Sequence, residues 1–248
     1  MSYDKIKEIL TNNKCNFIYI NSTASTMGDA KLYLEKSKSN IVVIANKQTK
    51  GRGRRGNKWI SPSGNIYCSI ALNNTIPINE YFLFSILTLI SIQNTLESLG
   101  VREILFKWPN DIFFENKKFG GIILEPYSLN KDNKYVIIGL GINFLSSPLT
   151  CMYQTTYLRK FLQIKNKSIF FDLFFNNFFF NWNNYTKEKN NIVSKFKNSL
   201  MYLNQKIEIQ TNSTNKIVGI FKGINNDGSL ILDKGNEIVS IYSGSIKT

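Results

Sequence analysis

Two short polar segments carry most of the chemistry legible in this chain. Gly51-Arg52-Gly53-Arg54-Arg55-Gly56 sets three arginines among three glycines, and Lys107-Trp108-Pro109-Asn110-Asp111 follows later. Glycines let a backbone come close to a ligand, and guanidinium forks match phosphate or carboxylate. The second segment adds a cation, an amide and a carboxylate at the end of a strand. Next comes Lys118-Phe119-Gly120-Gly121-Ile122. Two adjacent glycines weaken a strand and mark a close approach by a ligand or another backbone, here with Lys118 at its mouth. Gly139-Leu140-Gly141-Ile142-Asn143 repeats the device on the neighbouring strand. Together these residues suit chemistry on a bound nucleotide.

Plainer readings compete with each motif. The glycine-arginine loop matches G-x-G-x-x-G, but it runs into Asn57-Lys58-Trp59-Ile60-Ser61-Pro62, which cannot open a helix. The acidic residue that a dinucleotide fingerprint places downstream is also missing. A phosphate-cradling Walker loop fails because no Gly-Lys-Ser/Thr ends the segment. What remains is a basic surface loop, a single arginine-glycine RNA contact, or an anion-binding device. Lys107 to Asp111 alone is equally a proline turn with a polar tip, and Lys118 to Ile122 equally a bulged hairpin strand.

Composition narrows the choice. The chain has 248 residues, 43% of them hydrophobic, enough for a sizeable core in one large domain or a large and a small one. It has no histidine, which excludes a Ser-His-Asp triad, a Cys-His pair and any histidine-bearing zinc site. Cys15, Cys68 and Cys151 are scattered and odd in number, so a reducing compartment is expected rather than a disulfide framework. No apolar leader follows Met1, and the longest apolar stretch, Tyr81 to Ile92, is too short to span a bilayer. A soluble cytoplasmic protein without a membrane role is expected. The net charge of +14 is spread along the chain and not run together in blocks. It fits general solubility or an acidic partner, and no element that would read a DNA groove is evident.

Periodicity supplies the elements that position the motifs. Helices are expected over 4–12, 25–37 and 169–182, with a long helix capped by Asn79 and ended by Gly100. Strands are expected at 17–20, 41–45, 66–72, 103–107, 111–115, 119–126 and 134–143. This is an α+β fold, a mixed and mostly antiparallel sheet with packed helices. In 169–182 Phe170, Phe171, Phe174, Phe175, Phe178, Phe179 and Trp182 recur at helical spacing and face the core. After Leu203, alternating runs at 206–210, 216–222, 229–233 and 237–241 predict a small β-barrel, with a domain boundary near residue 202.

Taken in order, Ser25-Thr26, Gln48 to Gly56, Trp59 to Pro62, Lys107 to Asp111, Lys118 to Ile122 and Gly139 to Asn143 resemble the biotin protein ligases. The resemblance covers most of residues 17–145. It implies a catalytic fold similar to class II aminoacyl-tRNA synthetases over 1–202 and an SH3-like barrel over 203–248. It further implies an ATP-dependent ligase that makes biotinyl-AMP with Mg²⁺ and passes biotin to a lysine of the biotin carboxyl carrier protein. It assigns Ser25, Thr26, Gln48, Gly51, Arg52, Arg54, Lys118, Gly120 and Gly121 to biotin. Arg52, Arg54, Arg55, Trp59, Lys107, Asn110, Lys118 and Asn143 go to ATP or the adenylate, with Lys118, Arg54 and Asp111 catalytic and Asp111 holding Mg²⁺. Two positions depart from the family pattern: Met27 stands where Asn is usual, and Asn57 where Arg is usual. The four cations of the loop are expected to repel one another and leave it mobile until an anion arrives. The implied form is monofunctional, since few residues precede the first strand, and it is a monomer or homodimer. A lipoate–protein ligase of the same fold and a basic nucleic-acid-binding protein are the alternatives.

Overall fold

The computed structural model describes residues 3–73, 80–149, 153–164, 166–211 and 215–247. The expected cap Asn79 and Cys151 lie outside them. The order is α1 (Asp4–Asn12), β1 (Asn16–Thr23), α2 (Thr26–Ser37), β2 (Ile41–Gln48), β3 (Ile66–Asn73), α3 (Phe82–Ser98), β4 (Leu105–Lys107), β5 (Asp111–Phe114), β6 (Lys117–Ser128) and β7 (Lys134–Ile142). Then come α4 (Lys167–Asn183), α5 (Tyr185–Asn198), β8 (Lys206–Gln210), β9 (Lys216–Ile224), β10 (Leu230–Asp233), β11 (Ile238–Ile241) and β12 (Ser245–Lys247).

The first seven strands form one sheet in the order β1-β2-β3-β7-β6-β5-β4. Only β1 and β2 run parallel, so the sheet is mixed and mostly antiparallel, as the periodicity predicted. Successive side chains point to opposite faces, and β2, β3 and β7 are buried along most of their length because both faces are covered. One face packs under α2, where Met27, Ala30 and Leu34 meet Val43, Ala71, Tyr135 and Ile137. The other face carries the large core beneath α1, α3 and α4. Six of the seven phenylalanines of α4 are buried there, and Phe180 faces outward. Asparagines on α4 find hydroxyls on α3: Asn181 Nδ2 donates to Ser91 Oγ at 2.9 Å and Asn177 Nδ2 to Thr95 Oγ1 at 3.2 Å.

The hairpin between β5 and β6 turns on Glu115 and Asn116, both with positive φ, the backbone of a two-residue primed turn. β6 outruns β5. The last recorded β5 partner is Gly121, while β6 continues beside β7 to Ser128. Ile122 turns its N–H and carbonyl to Asn110 on the outer side, so Leu124 and Pro126 share that side.

The C-terminal strands form a five-stranded antiparallel sheet in the order β11-β10-β9-β8-β12. Its inner residues Ile207, Ile209, Phe221, Leu230 and Leu232 join the same core as the large sheet. The expected barrel strands are all present, and β12 and helix α5 are additions that the periodicity did not predict.

Candidate active site

The site grows from the sheet face under α2. Register places Gly121 opposite Gly141, and Ile123 opposite Gly139, which in turn faces Ser69. Three glycines and a serine therefore clear a patch of sheet of side chains, and neighbours lean into it. A Cβ on Gly141 would lie 2.6 Å from Trp59 Nε1, and one on Gly139 2.7 Å from Met27 Sδ. Trp59 thus lies over Gly141, and Met27, the family departure, lies over Gly139. Gly120 points the other way: its Cβ would meet Ile142 and Ile112 of the core, at 3.2 and 3.3 Å. The Gly120-Gly121 pair therefore puts one glycine, not two, in the trough, because adjacent residues of a strand face opposite sides.

One end of this trough is uncharged. The N-terminus of α2 presents Thr26, whose N–H and Oγ1 both donate to Gln48 Oε1, at 2.9 and 3.2 Å. Gln48 Nε2 donates to Ser61 Oγ at 3.2 Å, and Thr26 and Ser69 share a hydroxyl bond of 2.8 Å. Ser25 is the N-cap residue beside them, with a half-buried side chain that makes no cap bond. Gly51 lets the loop cross here, as a Cβ would sit 2.4 Å from both Ser61 Oγ and Trp59 O.

The other end is ionic. Lys118 Nζ pairs with Asp111 Oδ1 at 2.7 Å, and its ammonium stands 5.5 Å from the Trp59 ring and 5.0 Å from that of Tyr153. Arg54 Nη1 donates to Asn110 Oδ1 at 3.2 Å, so the two motifs meet. Burial, helped by Arg55 and opposed by Asp111, pulls the Arg54 pKa below the usual guanidinium value. A cation held in this way gains from an anion. The cis Trp108-Pro109 bond shapes the turn that delivers Asn110 and Asp111. Lys107 also has a lowered pKa, chiefly from burial, and lies over the Tyr202 ring at 5.6 Å. A cavity of about 200 Å³ opens beside this end, walled by Arg54, Pro109, Asn110, Ile122, Leu124 and Phe82. A larger open groove of about 540 Å³ runs along Leu105 and Leu200 to Leu203 and contains none of the motif residues.

The arginines of the loop are not left to repel one another. The loop closes on itself through Gly53 N to Asn57 O at 2.7 Å and Trp59 N to Gly51 O at 3.0 Å. Arg52 pairs with Glu125 at 3.3 Å, and Lys31 binds the same carboxylate. Arg55 turns away from the trough to the C-terminal sheet. Arg52, Arg54 and Arg55 thus each have a partner instead of facing one another. Asn143 is buried and gives its amide to Thr156 O at 3.1 Å, which fixes the strand end and not the trough. Glu125 and Ser69 belong to the site but gave no sequence signal, being single polar residues that only the fold brings together; Ser61, within the Trp59 to Pro62 segment, joins them.

The expected magnesium position does not fit. Asp111 is committed to Lys118 with Arg54 and Lys107 close by, and no group of three acidic, histidine or cysteine side chains gathers among the described residues.

This site lies within a recognisable protein class. The biotin/lipoate A/B protein ligase family matches residues 17–143, and the C-terminal domain of biotin protein ligases matches residues 202–247. The chain belongs to the biotin/lipoate A/B protein ligase family. It is 33% identical over 135 residues to the bifunctional ligase/repressor BirA of Bacillus subtilis, covering 54% of this chain and 42% of that protein. It is 28% identical over 131 residues to the biotin–[acetyl-CoA-carboxylase] ligase of Paracoccus denitrificans, covering 51% of this chain and 53% of that one. The chain thus spans about half or less of the length of these curated relatives. Among solved structures, the biotin protein ligase from Aquifex aeolicus in complex with biotin and ATP superposes with a TM-score of 0.75 at 26% identity, covering 94% of this chain and 97% of that one. Among the described residues no helix is long and apolar enough to cross a membrane.

Proposed function

We propose that the chain joins biotin to ATP as biotinyl-5'-AMP and then transfers biotin to a lysine of a biotin carboxyl carrier protein. One observation carries this reading: a trough cleared of side chains by Gly121, Gly139 and Gly141, uncharged and hydrogen-bonding at one end, cationic at the other. A flat bicycle with a polar ureido head and a carboxylate tail matches that gradient. The hydroxyls of Thr26, Ser61 and Ser69 and the amide of Gln48 would meet the ureido group. Trp59 would wall the rings, and its buried indole N–H, without a partner among the described residues, is available to a ligand acceptor.

The carboxylate tail needs no general base, since it is already ionised at neutral pH. Its oxygen attacks the α-phosphorus of ATP, the bond to the β-phosphate oxygen breaks, and pyrophosphate leaves. Arg54 and Lys118 would stabilise the charge that gathers on the phosphoryl oxygens, and Asn110 fixes Arg54. The cavity beside Asn110 would receive the adenosine. In the second step the acceptor amine attacks the acyl carbon, its bond to the phosphate oxygen breaks, and AMP leaves. Asp111 would orient the incoming amine when Lys118 turns to the phosphate. The positive charge of the chain suits an acidic carrier. We further read residues 1–202 as the catalytic unit, similar to class II synthetases, and 203–248 as SH3-like, acting in the cytoplasm.

Lipoate is the close rival. Its dithiolane makes no use of the hydrogen-bonding end of the trough, which favours biotin. Mass spectrometry of a carrier domain incubated with the protein, ATP and either biotin or lipoate tests the choice. A mass gain of one biotinyl group is expected, and a lipoyl gain alone would overturn the assignment.

A further inference from the structure

We propose that Arg55 is a positioning residue: it fastens the glycine-arginine loop to the C-terminal sheet, and that sheet thereby sets the place of Arg54. Only the second half of the test below rests on the proposed adenylation.

Arg55 stands where the resemblance places an adenylate contact, yet its guanidinium is already spent. Nη1 donates to Gln210 O at 3.0 Å, and Nη2 donates to Thr211 O at 3.0 Å and to Ser243 Oγ at 2.9 Å. These acceptors come from neighbouring strand ends, since Gln210 closes β8 and pairs with Ser245 at the start of β12. A planar fork reaches two successive carbonyls and a hydroxyl at once; a single ammonium does not.

The backbone gives a second observation. Arg55 has φ 55° and ψ 39°, the left-handed region, followed by Gly56 at φ 76°. A residue with a side chain adopts that conformation at a cost and keeps it when its surroundings over-determine it. The turn sends Arg55 to the C-terminal sheet and its neighbour Arg54 to Asn110. Fixing one fixes the other.

The second motif is gripped by the same sheet. Trp108 is buried and its Nε1 donates to Gly228 O at 3.0 Å. Gly228, with φ 83°, seats that turn against Phe82, where a Cβ would be only 1.7 Å from Cδ1. The C-terminal sheet therefore holds both partners of the Arg54–Asn110 contact, through one exposed pin and one buried pin. The exposed pin is the one open to test without disturbing the core.

The experiment uses the full chain. In the ligand-free protein, hydrogen exchange is followed at the loop amides of Gly53, Asn57 and Trp59, which are bonded within the loop. Arg55→Ala and Arg55→Lys are each expected to speed exchange there by about tenfold or more, and Ser243→Ala by less, with melting temperatures near that of the parent. With ATP and biotin, Arg55→Ala is expected to raise the KM for ATP by about fivefold or more while kcat changes by less than about threefold, because saturating ligand restores the loop. Unchanged exchange in ligand-free Arg55→Ala overturns the proposal, as does full rescue by Arg55→Lys. A fall in kcat alone, with unchanged KM and exchange, assigns Arg55 to the transition state and also overturns it. If the parent makes no adenylate, the proposed function fails and the exchange measurement still decides this question.

Discussion

Gly141→Ala is the sharpest probe of the trough. The added methyl would lie 2.6 Å from Trp59 Nε1, 2.7 Å from Cε2 and 3.1 Å from Cζ2. Carbon contacts are comfortable at about 3.5–4.0 Å, so the indole must retreat by about 1 Å. An indole is rigid, the backbone N–H of Trp59 is tied to Gly51 O at 3.0 Å, and the ring lies beneath the Lys118 ammonium. Overpacking of this kind costs about 1–3 kcal/mol. Shared between fold and ligand, that predicts a melting temperature lower by a few degrees. It also predicts a KM for biotin higher by about 5- to 100-fold, with the methyl itself on the trough floor. Gly139→Ala should be milder in stability, because the flexible Met27 thioether takes up much of the clash, though Ile123 Cγ2 at 2.8 Å must also yield. Trp59→Leu added to Gly141→Ala should restore the melting temperature without restoring biotin binding. Calorimetry and pyrophosphate release measure the two effects. If Gly141→Ala changes neither, Trp59 does not lie over Gly141 and the trough argument falls.

Three further outcomes are expected. Lys118→Ala should slow adenylate formation by about 10²-fold or more, read as pyrophosphate release, since it removes a transition-state cation and strips Asp111 of its 2.7 Å partner; near-normal release would take Lys118 out of the chemistry. Arg54→Gly should weaken retention of the adenylate more than its synthesis, so that biotin appears on a bystander such as albumin, whereas unchanged selectivity would refute the phosphate contact. Lys167 is buried, its partners among the described residues are the neutral acceptors Asn65 O and Asn46 Oδ1, and burial lowers its pKa from 10.5 to about 8. Between those values the unfolded chain binds the extra proton, so this group makes stability rise with pH. Lys167→Met should melt higher than the parent at pH 7, by a margin that shrinks as pH rises from about 8 to 10.5; a margin independent of pH would show that the ammonium is not the destabilising group.

Much of the fold was legible because its strands and helices have strong periods. The β-branched run at Ile41 to Ala45 and the paired phenylalanines Phe170/Phe171, Phe174/Phe175 and Phe178/Phe179 of α4 are core. Helix α5 was not legible, as its Lys and Asn content is a poor helix signal and only Ile192, Val193 and Phe196 are buried. The cationic and glycine-rich parts of the site announced themselves by composition, and the contact of Arg54 with Asn110 bore out their pairing. What composition could not tell was direction. Gly120 faces the core, Asn143 holds a strand end, and Arg55 points away, each decided by strand parity or by partners far along the chain. Trp108 sat in a polar motif yet is buried, because the C-terminal turn supplies its acceptor.

The outer margin of β6 has a bearing on how the molecule behaves in a crowded solution. Beyond Gly121, among the described residues, no strand pairs with that side of β6, and such a margin is a template on which stray chains can zip together. Pro126 sits on that side, exposed and without an N–H, so the ladder an intruding strand would need is broken midway. The protein thus leaves room beside Asn110 for a small molecule while denying the same margin to fibrils.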